Sequence, residues 1–139
     1  MPRLRAETRA RARALQALYA WDLRGGEPLD RVANQVWDDL AIAPDERAFA
    51  SQIVRVILAE GDEIDATLRD VTTNWRLERL GAVERAVLRI AAAEFRRGDP
   101  PARVTIQEAV RLAERYGSAQ SARFVNGVLD ALARRMGRL

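Results

Sequence analysis

The chain of 139 residues carries 23 basic residues, all of them Arg, against 20 acids, and it has no Lys, His or Cys. One domain is the expectation at this length, folding without a disulfide or a Cys/His zinc site and burying roughly two thirds of its unfolded surface. A thiol nucleophile, a Schiff base, a serine triad and a general base titrating near neutrality all lack their side chains, so a non-enzymatic role without a cofactor is the first reading.

Residues 1–13 hold Arg3, Arg5, Arg9, Arg11 and Arg13 against Glu7, a local charge of +4, while the rest of the chain carries 18 Arg against 19 acids. Such a basic N-terminal arm is typical of contact with nucleic acid or another anionic surface. A solvated helix start, or a translation-start bias in an Arg-preferring genome, is the competing explanation. The longest uncharged run, the eight residues from Ala14 to Trp21, ends at Asp22 without a small-residue cleavage pattern. Neither a signal peptide nor a membrane span is therefore expected, and the arm is read as part of a mature cytoplasmic protein.

With 25 Ala, 8 Gly and 5 Pro, and no alternating apolar run, the chain reads as all-α. A first helix is predicted over residues 5–23, with Leu15, Leu18, Tyr19 and Leu23 on one side and Gly25-Gly26 ending it. Pro28-Leu29-Asp30 starts a short helix through Val32, Val36 and Trp37, and Ala41 to Pro44 is a loop. Asp45-Glu46 then opens a helix carrying Phe49, Ile53, Val56 and Ile57, with a break or bend at Gly61 before Ile64, Leu68, Val71 and Trp75. Gly81 precedes a broadly apolar, central helix over 82–96, and Gly98-Asp99-Pro100-Pro101 is the clearest loop. Thr105 is a plausible N-cap, with Glu108 completing a capping box, and Gly117 ends that helix. A last helix follows Ser118, with Val125, Val128, Leu129, Leu132 and Met136 as its buried stripe. The count is about seven helices, packed in small bundles around a shared core, with no internal repeat.

Several constellations could carry function. Arg5, Arg9 and Arg13 fall at i, i+4 and i+8 and form one ridge, whereas Arg11 shares the sector of Leu15 and Leu18. Either the helix protrudes past the core at its start, or its first turns are unfolded in the free protein. Both leave guanidinium groups available to phosphates and bases. In Ser121 to Asp130, the stripe runs through Asn126-Gly127 without a change of phase, and a helical Gly asks for close approach of another helix or of a ligand. Arg123 beside Phe124 is the pairing wanted for a phosphate contact next to a stacking ring, with ordinary core packing as the alternative for Phe124. Asp38-Asp39 and Asp45-Glu46 are explained by helix ends, and Trp21, Trp37 and Trp75 by core packing. Glu84-Arg85 and Arg89 suit local ion pairing on the central helix.

Arg9-Ala10-Arg11 leading into Leu15-Gln16-Ala17-Leu18-Tyr19, Glu84 to Ala91 with Glu94, Ile106-Gln107-Glu108-Ala109-Val110 with Leu112-Ala113 and Gly117, and Phe124 to Asp130 together resemble the bacterial transcription antitermination family NusB. The blocks stand in the family's order and span nearly the whole chain. The resemblance implies two small helical bundles packed against each other. It also implies a role in processive antitermination on ribosomal RNA operons, within the RNA polymerase antitermination complex. There the protein pairs with ribosomal protein NusE and binds the single-stranded boxA element of nascent RNA. By that analogy Arg9 and Arg11, with Arg5 and Arg13 as extra candidates, face RNA together with Gln16, Arg123 and Phe124, while Tyr19, Glu84 and Arg89 lie on the partner-binding side. Glu7-Thr8 stands where the family often has further basic residues, and Gln107 where Asn is common. The same fold heads some RNA cytosine methyltransferases, whose catalytic domain would begin where this chain ends. A homodimer, and a helical protein–protein module in which the basic arm is incidental, stay open as alternatives.

Overall fold

The computed structural model describes residues 2–72 and 76–139, with side chains described from Ala6 onward. The side chain of Arg5 and all of Trp75 therefore lie outside the described residues. Among the described residues six helices follow one another: α1 Pro2–Arg24, α2 Leu29–Leu40, α3 Pro44–Val71, α4 Ala82–Arg97, α5 Ala102–Tyr116 and α6 Ala119–Arg135, with a 3-10 turn at Leu77–Arg79 before α4. The all-helical expectation is met, and no described residue lies in a strand.

Local sequence explains most boundaries. Gly98 adopts φ +80°, a left-handed conformation that lets its N–H reach the carbonyls of Glu94 and Phe95 and close α4. Ser118 caps α6 by accepting the Ser121 N–H at 3.0 Å. The bend expected at Gly61 falls one residue earlier, at Glu60 (φ −127°, ψ 21°). Helix resumes beyond it because Ile53 and Ile57 before the kink, and Ile64 and Leu68 after it, are all buried on the core side. The N-cap expected at Thr105 is not formed. The cap falls four residues sooner, on Pro101, whose missing N–H costs nothing at a helix start. Thr105 is thereby carried into the helix, fully buried, with its Oγ1 lacking a hydrogen-bond partner among the described residues, and Glu108 is turned inward as well.

Apart from Ala6 and Val32, the buried apolar residues form one continuous cluster. Helices α1, α2 and α3 pack together as a first bundle and α4, α5 and α6 as a second, with α4 lying against α1 and α3 as well as α5 and α6. The expectation of a central α4 holds: residues 86–88 and 90–95 are buried without interruption. Trp37 is buried and donates its Nε1–H to the Arg13 carbonyl at 3.0 Å, tying α2 to the arginine-bearing half of α1. Trp21 is half-buried and bonds the Glu27 carbonyl at 2.9 Å.

Candidate nucleic-acid interface

α1 is helical from Pro2, so Arg9 and Arg13 stand one turn apart on the same face. Both are gripped by one carboxylate from the first turn of α3. Arg9 Nε donates to Glu46 Oε2 at 3.0 Å and Arg13 Nε to Glu46 Oε1 at 3.2 Å. The Arg9 side chain is 53% exposed and that of Arg13 29%, whereas Glu46 lies beneath them at 7%. Arg13 Nη1 also donates to Gln16 Oε1 at 3.2 Å, so two of the expected arginines and Gln16 are brought into one ordered strip. Such a strip, held by a single acid, offers forked donors suited to phosphate oxygens.

Arg11 departs from both sequence alternatives. The helix neither protrudes there nor is unfolded, and the guanidinium is in the interior, 1% exposed. Its Nε meets Glu94 Oε1 and Oε2 at 3.0 and 3.1 Å, its Nη2 meets Glu94 Oε1 at 2.7 Å, and its Nη1 reaches Glu108 Oε1 at 3.4 Å. The Phe49 ring lies 5.2 Å from its Cζ, and Thr8 Oγ1 donates to Glu108 Oε1 at 2.6 Å. Burial pushes the Glu94 carboxyl above the usual carboxylate range, opposed by the hydrogen bond and charge of Arg11. Arg11 is therefore corrected from an RNA-facing residue to the clasp that fixes α1 on α4 and α5. Sequence reasoning missed Glu46, Glu94 and Glu108 as parts of this site. A signal was present for one pair: Arg11 in an apolar sector of α1, and Glu94 between Ala93 and Phe95, are mis-phased charges of opposite sign.

On α6, Arg123 is exposed and Phe124 is partly buried against the core. Asn126 and Gly127 are exposed too, and a Cβ built at Gly127 meets nothing within 4 Å. The tight helix crossing considered for Gly127 is thus absent, and the position faces open space. α6 packs chiefly against α5 and α4, and α5 in turn touches α1 through Glu108. No hydrogen bond or ion pair joins Arg123 to the α1 strip among the described residues.

The expected partner side is less uniform. Leu15 and Leu18 are core, but Tyr19 and Leu23 on the same side of α1 are 42% and 68% exposed, an apolar stripe running beyond the core. Glu84 is half-buried and accepts from Ser121 Oγ at 2.7 Å, linking α4 to the cap of α6. Local ion pairing along α4 is not what forms. Arg85 reaches Asp22 on α1 at 2.5 Å, and Arg89 forks onto Asp65 of α3 at 2.9 and 3.1 Å, with its Cζ 5.7 Å from the Trp21 ring. Tertiary packing supplies nearer carboxylates than the helix itself does. Arg89, Asp65 and Trp21 border an open groove of ≈ 680 Å³ with Leu29, Ile57 and Leu58. Asp38 pairs with Arg47 at 2.6 Å and Asp45 accepts the Glu46 N–H at 2.9 Å. No group of three His, Cys, Asp or Glu residues suited to a metal occurs among the described residues, nor does any helix long and apolar enough to cross a membrane.

Comparison with known proteins places this geometry. Residues 8–134 match the model of the NusB family. The transcription antitermination protein NusB of Anaeromyxobacter sp. (strain Fw109-5) is 46% identical over 129 residues, 91% of this chain and 88% of that one. Its counterpart in Sorangium cellulosum (strain So ce56) is 42% identical over 135 residues, 96% of each. Among solved structures, a chain from the crystal structure of antitermination factors NusB and NusE in complex with dsRNA superposes with TM-score 0.84 at 32% identity, covering 94% of this chain and 98% of that one. A chain from the crystal structure of a plectonemic RNA supercoil gives 0.86 at 30% identity over 95% and 96%. Sequence, six-helix architecture and coverage agree along nearly the whole length, and the chain belongs to the NusB family of transcription antitermination proteins.

Proposed function

We propose that this chain acts in transcription antitermination as an adaptor that holds single-stranded boxA RNA and ribosomal protein NusE together, within the RNA polymerase complex on ribosomal RNA operons in the cytoplasm. Its residues 1–139 serve as one NusB-like domain. The observation that carries the reading is the strip of Arg9, Arg13 and Gln16 on a well-packed helix. Arg5 extends that ridge by sequence spacing, and Arg123 and Phe124 add a phosphate donor and a stacking ring from α6. Arg11 contributes by seating α1 rather than by touching RNA. Tyr19, Glu84 and Arg89 serve the partner side, with the exposed Leu23 as a further apolar contact. A solved relative assembled with NusE and dsRNA supports the pairing of partner and RNA on this fold. Single strands are favoured over duplex grooves because unpaired bases can stack and be read at their edges.

The test is RNA binding by the wild type and by R9A/R13A, with and without NusE, using boxA and a scrambled control across a salt series. Removing one cation from a phosphate of a single strand lowers the salt slope by about 0.7, so the double variant should bind more weakly with a slope shallower by roughly 1.4. Unchanged affinity and slope would refute the role of the strip. NusE captured normally, with RNA bound weakly and without preference for boxA, would instead support a purely protein-binding module.

A further inference from the structure

We propose that Glu46 is a positioning residue for RNA, a buried carboxylate that orders Arg9 and Arg13 side by side before any phosphate arrives. The inference rests on the reading of the α1 strip as an RNA surface. An acid beneath a phosphate-binding surface is unfavourable by charge alone, and its placement needs a compensating gain. The geometry supplies one. Each Glu46 oxygen takes one arginine, Oε2 with Arg9 at 3.0 Å and Oε1 with Arg13 at 3.2 Å, and both hydrogen bonds use Nε. The terminal Nη groups are thus not spent on the carboxylate. Arg13 Nη1 turns to Gln16 at 3.2 Å, and no described residue takes a hydrogen bond from the Nη groups of Arg9. Two long side chains that would otherwise lose rotamer freedom on binding RNA are restrained in the free protein.

Glu46→Gln separates this from simple electrostatics. An amide replaces one of the two carboxylate oxygens with a donor nitrogen, so one of the two Nε–H groups would face an N–H where it now meets an acceptor. Removing the negative charge alone would tighten binding of an anion. Loss of ordering should instead weaken boxA binding by roughly 3- to 10-fold, the cost of immobilising one or two freed side chains, with an unchanged salt slope because both arginines remain. In the R9A/R13A background, where no arginine is left to order, Glu46→Gln should no longer weaken binding. Equal or tighter binding by the single variant overturns the proposal while leaving the strip's RNA role intact, whereas unchanged binding by R9A/R13A overturns both. A second measurement does not depend on the variant folding. In the wild type without RNA, the Arg9 and Arg13 Nε–H resonances should exchange with water more slowly than that of exposed Arg123. Exchange as fast as at Arg123 overturns the proposal.

Discussion

Replacing Arg11 with Met keeps a long side chain in the interior but removes the cation that faces two buried carboxylates. Glu94 is deprived of its hydrogen bonds at 2.7, 3.0 and 3.1 Å and Glu108 of one at 3.4 Å, at a site where the Arg11 and Glu94 side chains are each 1% exposed. Breaking a buried pair from one side costs about 3–5 kcal/mol, because the charge left behind has no water to replace its partner. Against a total stability of roughly 5–15 kcal/mol that is a large fraction, equivalent to about 10–20 °C in Tm for a chain of this size. Thermal and urea unfolding followed by far-UV circular dichroism measure it directly. The destabilisation should also depend on pH. Burial already raises the folded-state Glu94 value, and Arg11 opposes that rise. A carboxyl whose value is higher folded than unfolded favours the native state below its unfolded value and loses that contribution as pH rises through the folded one. Without Arg11 the folded value climbs further, so the destabilisation relative to wild type should be largest near pH 8 and smaller near pH 5, where Glu94 can take a proton. A destabilisation below about 1 kcal/mol at both pH values would refute the clasp as a buried ion pair. An equal large effect at both would refute the uncompensated carboxylate as its cause.

Two other substitutions probe the interior and the surface of the second bundle. Thr105→Val removes a buried hydroxyl that has no partner among the described residues, and a gain of about 1 kcal/mol in urea unfolding is expected, since an unsatisfied buried polar group costs about 1–3 kcal/mol; destabilisation would show that the hydroxyl is satisfied. Gly127→Ala adds a methyl to an exposed helical position where nothing lies within 4 Å, and should stabilise the free protein by roughly 0.5–1 kcal/mol. If α6 lies against RNA, the same variant should bind boxA more weakly despite its greater stability, and equal affinity would remove Gly127 from the RNA surface.

Sequence alone determined the helical class, the helix order, the central place of α4 and the ridge that contains Arg9 and Arg13. Apolar spacing, Gly and Pro are local signals, and each helix obeys them largely independently of the others. It also exposed Arg11 as a misfit, without showing why a cation could sit in a core-facing sector. The tertiary structure decided that, because the carboxylates answering Arg11 lie 83 and 97 residues away, and the one answering Arg9 lies 37 away. Thr105 shows the same limit on a smaller scale, since its capping pattern was locally sound but Pro101 started α5 one turn earlier. Helical periodicity tells which face a residue occupies. Whether that face meets water or a buried acid depends on which distant helix folds over it, and this separates Arg9 and Arg13, left at the surface, from Arg11, which is buried in the fold.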